Sequence, residues 1–264
     1  MSSVNYQLVD GLAVLTICHD RAPVLGTDIM SQIGTLVGQA RAEGCRALLL
    51  RADGPVFAAG ADVSSFKGMR ETEARAMFTD YMSVVHEIEG LDVPTVAAVQ
   101  GMCLGGGLEV ALACDLIVAQ KGTMLGQVEA LLGAATFLGG IQRLAERCGT
   151  SRALEITYSG LLYSADAFAS WGIVSKVVDE DNFEAKAMSL AASLASGPTA
   201  AHRVTKQVLR TARTQSLREA DAQMLRLGPE LLETTDMQTA VDCMLTKGSR
   251  EFMADPSQVA FRGE

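Results

Sequence analysis

The chain has 264 residues, 48% of them hydrophobic and 20% charged, enough for one sizeable core or one large domain with a smaller appendage. A net charge of −9 and a pI near 4.9 exclude a nucleic-acid partner from the expectations, because such binding depends on Lys and Arg neutralising phosphates. Mean hydropathy is +0.21, yet the most apolar stretch, residues 103–119, is broken by Glu109 and Asp115, so no membrane span is expected.

The N-terminal stretch MSSVNYQLVDG has neither a basic nor an apolar leader region, so no secretory signal is expected. Asp10-Gly11 then separates residues 6–9 from the alternating run 12–17, which predicts a β-hairpin. Thr27 or Asp28 is expected to cap a helix carrying Ile29, Ile33, Leu36, Val37 and Ala40 at helical spacing, with Gly44 ending it. A short buried strand follows at residues 47–50. Met77, Phe78, Tyr81, Met82, Val85 and Ile88 predict a helix over residues 71–89. Next come a strand at 95–99, a glycine-led helix near 106–114 and strands at 116–119 and 173–178. Strands alternating with helices predict an α/β fold.

Beyond residue 178 no strand pattern remains. Residues 181–196, 199–212, 216–227 and 235–247 all carry helical patterns. The expected organisation is an α/β core over residues 1–195 and a helical region over 196–264. Arg203, Lys206, Arg210 and Arg213 form a basic stripe on one of these helices, read either as a solvated face or as a contact for ligand phosphates. The six cysteines are scattered without any CxxC, which fits small buried residues in a reducing, cytoplasmic compartment. The three histidines have no partner at metal-ligand spacing, and no metal is expected.

The chemistry is expected in two glycine-containing loops. Phe57-Ala-Ala-Gly-Ala-Asp62 follows one strand, and Gly101-Met-Cys-Leu-Gly-Gly-Gly-Leu-Glu109 follows another and opens a helix. Such glycines are read here as letting a ligand approach the backbone, rather than as a packing requirement. At a helix start they leave amide N–H groups without intrahelical partners, aimed at developing negative charge. Position 110 is Val, so GxGxxG is not completed, and neither GxxxxGK[ST] nor GxSxG occurs. The amides are therefore assigned to an oxygen anion. Glu109 lies in the first turn of that helix and Glu129 twenty residues on. A pair of carboxylates can hold one water and exchange protons with a carbon acid.

Phe57-Ala-Ala-Gly-Ala-Asp62, Gly105-Gly-Gly-Leu-Glu109, and Gly126-Gln-Val-Glu129 with Leu131-Leu-Gly133 and Gly139-Gly140 resemble the crotonase, or enoyl-CoA hydratase/isomerase, family. The resemblance implies a spiral of β-β-α units with C-terminal helices that form a homotrimer, often paired into a hexamer. It implies an acyl-CoA thioester substrate and no separate cofactor. The Ala61 and Gly106 amides would form an oxyanion hole. Ala59, Asp62, Val63 and Ser64 would line the CoA site, with Gly105 and Phe137 also at the substrate; Phe66, from its place after the first loop, is read either as lining the acyl pocket or as core packing. Glu129 would protonate the α-carbon and Glu109 would activate water, adding it to a 2-enoyl-CoA.

The chain departs from that pattern in four places. Val128 stands where the family has proline, and Thr136-Phe137 where it has Pro-Gly. Ser64 replaces a common basic residue, and a common Lys-Arg pair is absent from Phe252-Met-Ala-Asp-Pro256. Phe137 is expected to crowd the water beside the glutamates. That leaves an isomerase or another enolate-forming enzyme, and a non-catalytic acyl-CoA-binding or assembly subunit, as the alternatives.

Overall fold

The Asp10-Gly11 step turns the chain as expected, pairing β1 (Ser3–Val9) antiparallel with β2 (Leu12–Cys18), Val9 opposite Leu12. Both turn residues have positive φ, 49° and 79°, as a two-residue hairpin loop requires. The computed structural model describes residues 2–19, 24–255 and 258–263; Pro256, at the end of the segment lacking the basic pair, lies outside them. Helix α1 (Thr27–Ala42) starts one residue earlier than the capping expectation. Gly26 occupies the N-cap without a side-chain cap, and the Thr27 hydroxyl instead meets that of Tyr81 at 2.9 Å.

The chain then runs through β3 (Ala47–Ala52), α2 (Glu71–Glu89), β4 (Thr95–Val99), β5 (Met102–Leu104), α3 (Gly106–Leu112), β6 (Leu116–Gln120) and β7 (Met124–Gly126). After α4 (Gly140–Cys148), α5 (Thr150–Ser159), β8 (Tyr163–Ser164) and α6 (Ala165–Ser170) comes β9 (Lys176–Val178). The remaining elements are α7 (Phe183–Ala195), α8 (Thr199–Thr214), α9 (Leu217–Leu227), α10 (Thr235–Lys247) and α11 (Ser249–Ala254). The sequence pattern missed β5, β7, β8, α4, α5, α6 and α11. These elements are short, from two to ten residues, too brief for a periodicity to declare itself.

One sheet of six strands has the order β1-β2-β3-β4-β6-β9, parallel from β2 onward. A second sheet of three has the order β5-β7-β8. The spiral follows from this division: β4 and β6 each lie in the large sheet and hand the chain to a short strand of the small one. After β3, Ala58 plays that second role, forming a parallel bridge with Cys103 in β5. The central strands β2, β3, β4 and β6 are buried on both faces, so they read as largely continuous apolar runs. Ala13, Leu15, Leu48, Leu50, Ala97 and Val99 face the main core with α1 and α2. Leu12, Val14, Leu49, Val96 and Ala98 face Phe183, Ala187, Ala191 and Ala195 of α7, which recur every four residues.

The basic stripe on α8 is only partly solvated: Arg203 is exposed, while the other three cations meet acidic side chains. Lys206 reaches Asp115 at 2.7 Å, Arg210 reaches Asp92 at 3.4 Å, and Arg213 reaches Glu89 at 3.8 Å and also pairs with Glu146. It docks the helical region on acidic side chains of the preceding body. Among the described residues no helix is long and apolar enough to cross a membrane.

Candidate active site

Strand register brings the two loops together. Phe57 and Ala58 donate to the carbonyls of Gln100 and Met102, and Leu104 donates back to Ala58 at 2.9 Å. The first loop therefore runs alongside β5, which leads into the glycine triplet. Ala61 arrives beside Gly106: a Cβ built on Gly106 would lie 3.7 Å from the Ala61 nitrogen. Among the described residues neither amide N–H, of Ala61 or of Gly106, has a protein acceptor. Gly107 corrects the expectation that packing does not need the triplet. Its Cβ would lie 2.6 Å from that of Ala58, so glycine here lets the loop seat on α3.

The second register fixes Glu129. Leu104 of β5 pairs with Gly126 of β7, and Gly105 donates to the Gly126 carbonyl at 2.9 Å. The chain leaving β7 therefore passes over Gly105, and a Cβ there would lie 3.1 Å from Glu129 Oε1. Glu129 opens a short 3-10 helix, Glu129–Leu132, and is half-buried. Its side-chain partner is Gln127, which is fully buried; with the amide nitrogen toward the carboxylate, Gln127 donates to both oxygens at 3.0 Å.

Glu109 is only 2% exposed. Its Oε1 accepts from the backbone N–H groups of Leu138 and Gly140, both at 2.8 Å. A Cβ on Gly140 would lie 2.5 Å from the Gln127 amide and 3.0 Å from Glu109 Cγ, so the Gln127 and Glu109 side chains flank one glycine. Burial foremost, then the charge of Glu129, pushes the Glu109 carboxyl up to about 7 against the two backbone hydrogen bonds and Arg143, which pull it down. Burial also raises Glu129 above the ordinary carboxylate range. Two carboxyls displaced toward neutrality beside unpaired amides can exchange protons with a weak carbon acid.

The other expected residues take separate places. Asp62 caps a short 3-10 helix, Val63–Phe66, accepting from the Ser64 N–H at 3.1 Å and its hydroxyl at 2.6 Å. Ala59 is half-buried in the loop and Val63 is 52% exposed. Phe66 lies edge-on to Phe78 of α2 (6.1 Å between centroids), and Phe78 stacks on Phe137 at 4.2 Å with an interplanar angle of 17°. The Phe137 ring is thus engaged by α2, through a contact the sequence did not reveal. An open groove of about 680 Å³ runs along α2 past Phe78, Met82 and Phe137. Gln127, Leu138, Gly140 and Arg143 were not singled out from the sequence as site residues. Only Gln127 sat in a quoted motif with a polar signal, while Leu138 and Gly140 act through the backbone. Among the described residues no group of three or more His, Cys, Asp or Glu is placed to hold a metal.

Fold and site together define a spiral α/β protein with paired, partly neutralised carboxyls beside free backbone donors. The enoyl-CoA hydratase/isomerase family model matches residues 13–254, and the chain belongs to that family. It is 34% identical over 204 residues to an enoyl-CoA isomerase/hydratase of Mycosarcoma maydis, covering 76% of this chain and 74% of that one. Against a short-chain-enoyl-CoA hydratase of Clostridium acetobutylicum it is 29% identical over 239 residues, 89% and 92% of the two chains. The crystal structure of an enoyl-CoA hydratase from Bacillus anthracis superposes with a TM-score of 0.87 at 26% identity, covering 100% of this chain and 99% of that one. The expected crotonase-like α/β fold is the fold this chain has.

Proposed function

We propose that the protein hydrates a 2-trans-enoyl-CoA to the 3-hydroxyacyl-CoA. The observation that carries this reading is the placement of two carboxyls, both raised toward neutrality, around Gly105 and Gly140 beside the unpaired amides of Ala61 and Gly106. The thioester oxygen accepts from these two amides, which stabilise the enolate as its charge develops. Glu109, held through Oε1, keeps Oε2 for the attacking water. Glu129 delivers the proton to the α-carbon. No cofactor is needed beyond the CoA that the substrate carries. Ala59, Asp62, Val63 and Ser64 border the CoA, and Phe66 and Phe137 the acyl group.

An isomerase, which moves one proton between two carbons, is the second reading, supported by the isomerase/hydratase relative. Hydration is preferred because Phe137, the residue expected to crowd the water, has its ring stacked on Phe78. Loss of the conjugated thioester absorbance of crotonyl-CoA, with 3-hydroxybutyryl-CoA as product, tests the reading. Double-bond migration without hydration would overturn it.

The active form is proposed to be a homotrimer, with a hexamer as the larger assembly. Leu217, Leu225 and Leu245 on the terminal helices are each more than 75% exposed, apolar surface that subunit contact would cover. Light scattering at micromolar concentration giving 27.9 kDa, the mass of one chain, would refute the trimer.

A further inference from the structure

Glu109 is oriented by a turn rather than by its own helix, and that turn has an unusual support. The two amides that grip Oε1 belong to Leu138 and Gly140, on either side of Gly139, whose φ is +82°. Gly139 leads into α4, where no sheet ladder holds the backbone. Arg143, one turn further on, holds it. Its Nη1 donates to the carbonyls of Leu138 at 3.0 Å and Gly139 at 3.1 Å. The Gly139 carbonyl and the Gly140 N–H belong to one planar peptide unit and point in opposite directions. A guanidinium fixed on that oxygen therefore sets where the N–H points, and polarises it as a donor to Glu109.

The remainder of the guanidinium fork is fixed as well. Nε and Nη2 donate to the two oxygens of Glu89, near the end of α2, at 2.8 and 2.6 Å. Arg143 is 8% exposed and Glu89 half-buried, so this is a part-buried, bidentate pair. Beyond it, Arg213 of α8 reaches Glu89 and Glu146. Glu129 is the other charged group acting on Glu109, and Arg143 acts in the opposite sense.

We infer that Arg143, anchored by Glu89, is a positioning residue for Glu109, acting through the peptide unit between Gly139 and Gly140. The inference rests on the proposed reaction only for its effect on turnover; the effect on the Glu109 proton holds without it.

The experiment therefore has two readouts. In ligand-free protein, unfolding free energies with and without Glu109→Gln, measured across pH, give the midpoint at which folded Glu109 releases its proton. Arg143→Met should move that midpoint up by about one unit. With crotonyl-CoA, the same variant should lower kcat by about tenfold or more while KM changes by less than about twofold, because a misdirected carboxylate is still close to its water. If Arg143→Met does not fold, Arg143→Gln, which retains an amide donor for the turn but not the charge, should still move the midpoint up, by a smaller amount, and keep more of kcat. A folded, less stable variant whose midpoint stays at the wild-type value would show that Arg143 only packs, and would overturn the inference. A wild-type protein that does not hydrate crotonyl-CoA sinks the proposed function and leaves the midpoint test intact.

Discussion

The two glutamates, Glu129 against Gly105 and Glu109 against Gly140, are held in contrasting ways. Glu109 is buried on α3, gripped by two backbone amides and backed by an arginine pair. Glu129 is half-buried at the start of a single 3-10 turn, held by one side-chain amide and followed by Leu131 and Leu132, which are 70% and 63% exposed. Backbone amides cannot change rotamer, so Glu109 is built as a fixed group. Glu129 is held instead by the side-chain amide of Gln127, which is itself buried. One wall of the site is fixed by the backbone and the other by side-chain packing.

The largest effect that probes this contrast is loss of either carboxyl. Glu109→Gln and Glu129→Gln should each lower crotonyl-CoA hydration by about 10²–10⁴, the range for a general acid or base. The double variant should lose less than the product of the single losses, because both groups serve one event. Near-normal rates in both single variants would refute the assignment. Gly106→Pro removes one unpaired amide at a helix start, where proline is tolerated, and should cost about 10²–10³ in turnover. A folded Gly106→Pro protein with normal turnover means that this amide is not a donor to the substrate.

Gly140→Ala attacks the packing beside Glu109 most directly. Its Cβ would press on Glu109 Cγ and the Gln127 amide, and turnover should fall by about 10–10². An unaltered rate would show that Glu109 tolerates displacement and that the rigid-wall picture is wrong. Stability offers a check that needs no substrate. Glu109 in the folded protein keeps its proton to about pH 7, whereas its ordinary value is 4.5, so stability falls as pH rises through that interval. Glu109→Gln abolishes this dependence. It should be more stable than wild type by about 1–3 kcal/mol at pH 8 and indistinguishable at pH 4. Parallel curves would contradict the raised proton affinity.

The smallest effect concerns Phe137. Its ring stacks on α2, so Phe137→Gly should remove about 0.5–1.5 kcal/mol of aromatic pairing. Crotonyl-CoA hydration should hardly change. A large rate increase would restore the idea that this ring crowds the water.

The sequence alone determined the local parts. Asp10-Gly11 dictates the hairpin because few residues accept two successive positive φ angles, and the apolar spacing from Met77 to Ile88 dictates α2. The motifs likewise marked Ala61, Gly106, Glu109 and Glu129 as candidates. Tertiary structure decided which of these parts meet and what orients them. The parallel register of β5 with β7 sets Glu129 over Gly105, and register is a long-range choice with no local signature. The grip on Glu109 comes from backbone amides of Leu138 and Gly140, groups that every residue except proline carries, so no residue type announces them. The stripe on α8 shows the same limit from the other direction. Its four cations are plain in the sequence, but the partners of Lys206, Arg210 and Arg213 lie about 70 to 120 residues away in the chain, and only folding supplies Asp92, Asp115, Glu89 and Glu146.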